Sequence, residues 1–92
     1  MTPPAERRYV MTATEADFHR LMPLAFPDIS YDAETRRFVP LEGGWSLELG
    51  AVGRLALTSV RMTTIEVIFR FDGADSAAVF ARFMLYFQRG GG

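Results

Sequence analysis

The sequence predicts an α+β fold, a two-layer sandwich with one antiparallel sheet carrying both helices on a single face. Three observations predict it. Apolar and polar residues alternate over residues 45–49 and 65–71, the two-residue period of half-buried strands. Two other stretches, 14–22 and 74–89, gather their apolar side chains at spacings of three and four, the period of helices. Between those helices lie only strand-like pieces and turns, so the strands follow one another as antiparallel neighbours. The expected order is strand, helix, four antiparallel strands, helix.

At 92 residues, 49% of them apolar and with eight Phe, three Tyr and one Trp, the chain fits one domain with one core. Folding at this size buries only about 60% of the unfolded chain's surface, so stability is modest and association is a natural supplement.

Residues 1–6 read as a loose leader, because Pro3-Pro4 joins neither a helix nor a sheet interior. Residues 8–12 have strand composition. Thr14 then serves as an N-cap, with Asp17 in the place of the acid of a capping box and Glu15 near the positive helix end. Phe18, Leu21, Met22 and Ala25 share one side of this helix. Pro23 has no N–H to donate to the carbonyl of His19, so the regular helix is expected to end near Met22 or turn irregularly toward Pro27.

Residues 29–31 and 36–39 flank a four-residue turn and suggest a short hairpin, with Pro40 confining the second piece to an edge or a strand end. Glu42-Gly43-Gly44 breaks the chain. Residues 51–53, Ala-Val-Gly, read as another turn, leading into residues 54–60. Face matching then sets Leu47 opposite Leu57 and Leu57 opposite Phe69. It gathers Trp45, Leu47, Leu49, Leu55, Leu57, Phe69 and Phe71 on the core side. The same register sets Arg54 opposite Asp72 and Ala56 opposite Arg70. This order resembles the helix-grip architecture, which includes binders of lipid-type ligands and each half of the TATA-box-binding domain. That likeness is one of topology and carries no function.

The closing helix, 74–89, is apolar over more of its circumference than one sheet requires. Asp75 or Ser76 caps it, and no Pro or Gly interrupts it. Phe80, Met84 and Phe87 form the face expected to meet the sheet. Val79, Phe83, Leu85 and Tyr86 flank a narrow polar strip of Arg82 and Arg89. Those four are the candidate contacts with another subunit or a protein partner.

The chemistry-bearing residues point to no reaction. His19 is the only histidine, and Glu15 one turn earlier makes it half of a helix-surface pair rather than a general base with a nucleophile in reach. Glu48, Glu66, Arg54 and Arg70 are expected on the outward sheet face, where alternating charges suit cross-strand pairing. The Gly43-Gly44 and 50–53 stretches lack the pattern of a phosphate loop. Gly90 reads as a helix C-cap, with residues 90–92 a flexible tail.

Composition excludes more. With no cysteine there is neither a disulfide nor a thiolate metal site. Ten arginines against eleven carboxylates, with no lysine, leave a net charge of −1 and no electrostatic footprint for nucleic acid. No run is long enough to span a bilayer, and residues 1–8 lack a signal-peptide core, which places the protein in the cytoplasm. The expected function is a small non-enzymatic protein-interaction module, homodimeric through the closing helix or an edge strand, without cofactor or metal. The alternative is an apolar small molecule held between sheet and helices by Trp45, Leu47, Phe69, Phe80, Met84 and Phe87.

Overall fold

Five antiparallel strands and two helices follow in the order β-α-β-β-β-β-α. The structure, a computed structural model, describes residues 5–57 and 59–90; of residues 57 and 88–90 only the backbone course is described. Strand β1 spans Ala5–Thr12, helix α1 Glu15–Ala25, β2 Ile29–Asp32, β3 Arg37–Pro40, β4 Trp45–Leu57, β5 Val60–Phe71 and helix α2 Ser76–Gly90. The sheet order is β1-β5-β4-β3-β2, so the first strand closes onto the last.

Beginning at Ala5, β1 takes in two residues expected in the leader. Ala5 pairs with Phe71 and Glu6 with Arg70, since Pro3-Pro4 ends just where backbone donors become available again. Residues 1–4 and 91–92, the rest of the expected leader and tail, lie outside the described residues. Helix α2 runs through Gly90, the residue expected to cap it.

The capping box at α1 is complete. The Asp17 N–H donates to Thr14 Oγ1 at 3.2 Å, and the Thr14 N–H donates back to Asp17 Oδ2 at 2.9 Å. Phe18, Leu21, Met22 and Ala25 are its buried residues. Pro23 does not stop the helix, which continues to Ala25 and closes with the Phe26 N–H on the Met22 carbonyl at 2.8 Å. Pro23 and Leu24 sit on the exposed side, so the proline costs one hydrogen bond and no buried group is left unpaired there.

The expected turn at residues 51–53 is a β-bulge. Strand β4 runs unbroken from Trp45 to Leu57, and Gly50 and Ala51 together oppose Glu66 between the Leu49–Val67 and Val52–Ile65 pairs. Leu47 therefore lies opposite Phe69 directly, and Trp45 opposite Phe71. One extra residue reverses the alternation beyond it. Leu55 faces Met62 on the outward side and is 44% exposed instead of joining the core. Arg54 lies opposite Thr63, Ala56 opposite Arg61, and Arg70 opposite Ser46. The side chain of Leu57 lies outside the described residues.

Glycine is required at the bulge. A Cβ on Gly50 would run into the Glu66 carboxylate and stand 3.0 Å from the Glu66 Cβ.

The core lies between the inner sheet face and both helices. It is built from Phe18, Met22, Phe38, Leu47, Ile65, Val67, Phe69 and Phe83, with Trp45, Leu49, Phe71 and Phe87 around them. Gly44, at φ +86°, connects the layers: its carbonyl accepts from the Asp72 and Ala74 N–H groups at 2.7 and 3.3 Å. Asp75 then caps α2, its Oδ1 accepting from the Ala77 and Ala78 N–H groups at 3.1 and 3.3 Å.

Candidate interaction surface

Helix α2 presents a different face to the core from the one its periodicity suggests. Phe83, expected on the partner-facing flank, is 1% exposed and stands edge-on to Phe69 at 5.1 Å and stacked on Phe87 at 4.2 Å. Phe80 and Met84, expected at the centre of the buried face, are only half-buried. The second helix is the reason. Phe18 of α1 packs on Phe87 at 4.7 Å and Phe83 at 6.3 Å, so α2 is turned to bury the row that meets both sheet and α1. Arg82 assists by donating to the Ala25 carbonyl at the end of α1.

Of the four candidate contact residues, Phe83 is core, while Val79 and Tyr86 are half-buried against the core cluster. Leu85 stands free at 50% exposure.

The six residues assigned to a ligand cavity are placed together, but rings fill the space among them. Leu47 and Phe69 are fully buried, and Trp45 and Phe87 nearly so. Phe80 stands 5.8 Å from Phe69 and 5.2 Å from Tyr9. A ligand between the layers would displace this aromatic packing. A concavity of about 290 Å³ lies instead at the sheet's end, an open groove where Phe26, Ile29, Leu41 and Trp45 meet Arg82 and Glu42.

The outward sheet face carries a chain of ion pairs. Glu48 accepts from Arg37 at 3.0 Å and Arg70 at 2.8 Å; Arg70 reaches Glu6 at 3.3 Å, and Glu6 and Glu66 both meet Arg8, at 3.3 and 3.8 Å. Sequence reasoning placed Glu48, Glu66 and Arg70 on this face. It missed Glu6, Arg8 and Arg37, which the β1 and β3 registers bring in, and it added Arg54, which the bulge sends to the other face. The hydrogen bond from Arg37, assisted by Arg70, holds the Glu48 carboxyl below its usual range against the opposing effect of burial. Beneath these side chains Ile68 is 4% exposed, covered on a face with no helix.

His19 is 4.0 Å from Glu15 and edge-on to Tyr31 at 4.5 Å. Glu15 also accepts from the Tyr31 hydroxyl at 3.3 Å and faces Arg36 at 3.5 Å. Burial, then the Glu15 charge, raises the Tyr31 hydroxyl above its ordinary pKa. Arg36, at φ +54°, is pinned by the Leu49 N–H on its carbonyl and by its own guanidinium on the Gly50 carbonyl. The group fastens α1 to the β2–β3 turn. Among the described residues no three His, Asp or Glu side chains are grouped to hold a metal ion, and no helix is long and apolar enough to cross a membrane.

The feature that periodicity concealed is the far half of the β4–β5 hairpin. Strand β1 pairs with β5 only as far as Thr12–Thr64, and β3 with β4 only at Phe38–Leu47 and Arg37–Glu48. Beyond Thr64 on one side, and beyond the Leu49 N–H on the Arg36 carbonyl on the other, the outer edges of the hairpin lack backbone partners among the described residues. The thirteen residues of β4 at ~3.3 Å each span ~43 Å, most of the molecule's 48 Å length. The arm's outward face bears Leu55, Met62 and Val60, the last 53% exposed; its other face bears Arg54, Arg61 and Thr63. The two glycines and the imperfect alternation over residues 50–57 were the available signal, and they read equally well as a turn.

No protein-family model, no curated protein and no solved structure matches the chain.

Proposed function

We propose that this protein is a small non-enzymatic interaction module of the cytoplasm, which associates with a second copy of itself through an edge of its sheet. The observation that carries the reading is the β4–β5 arm, an amphipathic ribbon whose two backbone edges have no partner among the described residues. Open edges recruit strands, because each unpaired N–H and C=O gains a partner by doing so. An apolar strip on the same ribbon adds burial at the contact.

The closing helix supports this reading less. Its surplus apolar residues are largely packed against the core formed by the sheet and α1, and Leu85 is its exposed large apolar residue. Sedimentation velocity across the micromolar range tests the proposal. The expected result is a monomer–dimer equilibrium that strengthens with concentration; a monomer at every concentration overturns it.

A further inference from the structure

We infer that two copies join about a two-fold axis at Leu55, the free edge of β4 pairing antiparallel with its counterpart to make one continuous sheet. The inference rests on the self-association proposed above and specifies its geometry. The edge offered is bounded. On that side β3 occupies β4 as far as the Leu49 N–H, which donates to the Arg36 carbonyl at 2.9 Å. Residues 51–57 lie beyond it, with no backbone partner on that side among the described residues.

Face matching leaves few registers. Antiparallel partners share a face of the sheet, so a two-fold pairing must be centred on a residue and not between two. Centring on Gly53 draws the bulge at Gly50 and Ala51 into the ladder. Centring on Arg54 sets two guanidinium groups directly against each other, which is destabilising. Centring on Leu55 pairs Leu55 with its own copy, Arg54 with Ala56 and Gly53 with the Leu57 position. It buries the apolar Leu55–Met62 pair at the axis and sets no two like charges directly opposite, the two Arg54 side chains being diagonal neighbours.

Charge supplies an independent argument for the occupant. The Leu55 register carries each arm's tip up to the other copy's β2–β3 turn, since that turn ends where the free edge begins. Arg54 and Arg61 belong to the arm; Asp32 and Glu34 stand exposed at or in the turn. Among the described residues, none of these four has an opposite charge within 4 Å. The register carries Arg61 of each arm toward Asp32 and Glu34 of the other copy's turn, while Arg54 lies beside Ala56 of the other copy.

The experiment is sedimentation velocity on the full chain, its Leu55→Glu variant, the Arg61→Glu and Glu34→Arg variants, and an equimolar mixture of those two. Leu55 is already 44% exposed, so Leu55→Glu leaves the fold intact, which circular dichroism verifies. Leu55→Glu is expected to be monomeric. Each charge reversal alone is expected to weaken the dimer by roughly tenfold or more, and the mixture to recover it, because both Glu–Arg contacts are rebuilt in the mixed dimer. A wild-type dimer that survives Leu55→Glu, or a mixture no tighter than its components, overturns the Leu55 geometry while leaving self-association standing. A monomeric wild-type chain removes both.

Discussion

Glu48 shows how much one carboxylate organises on a sheet face without a helix. It receives Arg37 from β3 and Arg70 from β5, and those side chains lie over Ile68. Partly exposed ion pairs contribute only about 0.2–1 kcal/mol each, so the stems covering Ile68 matter as well as the charges. The sign of the pH effect follows from the lowered carboxyl. Its stabilisation is fully present above the unfolded value near 4.5 and is lost as pH falls through the lower folded value. Glu48→Gln keeps the shape and removes the titration. Urea midpoints are therefore expected to fall more steeply between neutral pH and about pH 3 for the wild-type chain than for Glu48→Gln. Parallel profiles would mean that Glu48 is not held by its two arginines.

At the scale of elements, α2 separates what a helix buries from what it displays. Phe83→Ala empties a site enclosed by Phe18, Phe69 and Phe87 and is expected to cost about 3–5 kcal/mol. Leu85→Ala, two positions on, is expected to stay within about 0.5 kcal/mol. Chemical denaturation distinguishes them, and similar losses at both sites would show that Leu85 is covered. The sequence placed α2 correctly along the chain and misjudged its rotation by one row. Periodicity locates apolar side chains around a circumference, but which of them points into the core depends on the second neighbour, here Phe18 of α1. Local chemistry was more legible: the Thr14–Asp17 capping box and the buried face of α1 are set by side chains within one or two turns of each other. The bulge was not, because glycines at residues 50 and 53 suit a turn and an extended irregularity alike. Only the cross-strand partner, Glu66 lying over Gly50, decides between them.

For the whole molecule, the same bulge divides a domain from an arm. Among the described residues every buried core residue lies outside residues 53–64, and the Val52–Ile65 pair closes the last part of the hairpin that the body covers. The arm therefore contributes little to the core while presenting an open β4 edge over residues 51–57. Fold class and strand order were readable because they follow from the succession of periods. The arm was not, because its exposure depends on where β1 and β3 stop pairing. Replacing residues 53–64 by Asn-Gly gives Val52 and Ile65 a two-residue hairpin turn that suits antiparallel strands. The shortened chain is expected to unfold cooperatively, with the core aromatics as tightly packed as before by near-ultraviolet dichroism. Its melting temperature should no longer rise with protein concentration, whereas that of the full chain should, since association stabilises the folded state by mass action. If the shortened chain keeps the concentration dependence, the contact lies elsewhere, and Leu85 on α2 becomes the residue to test. If it fails to fold, the arm is part of the domain after all.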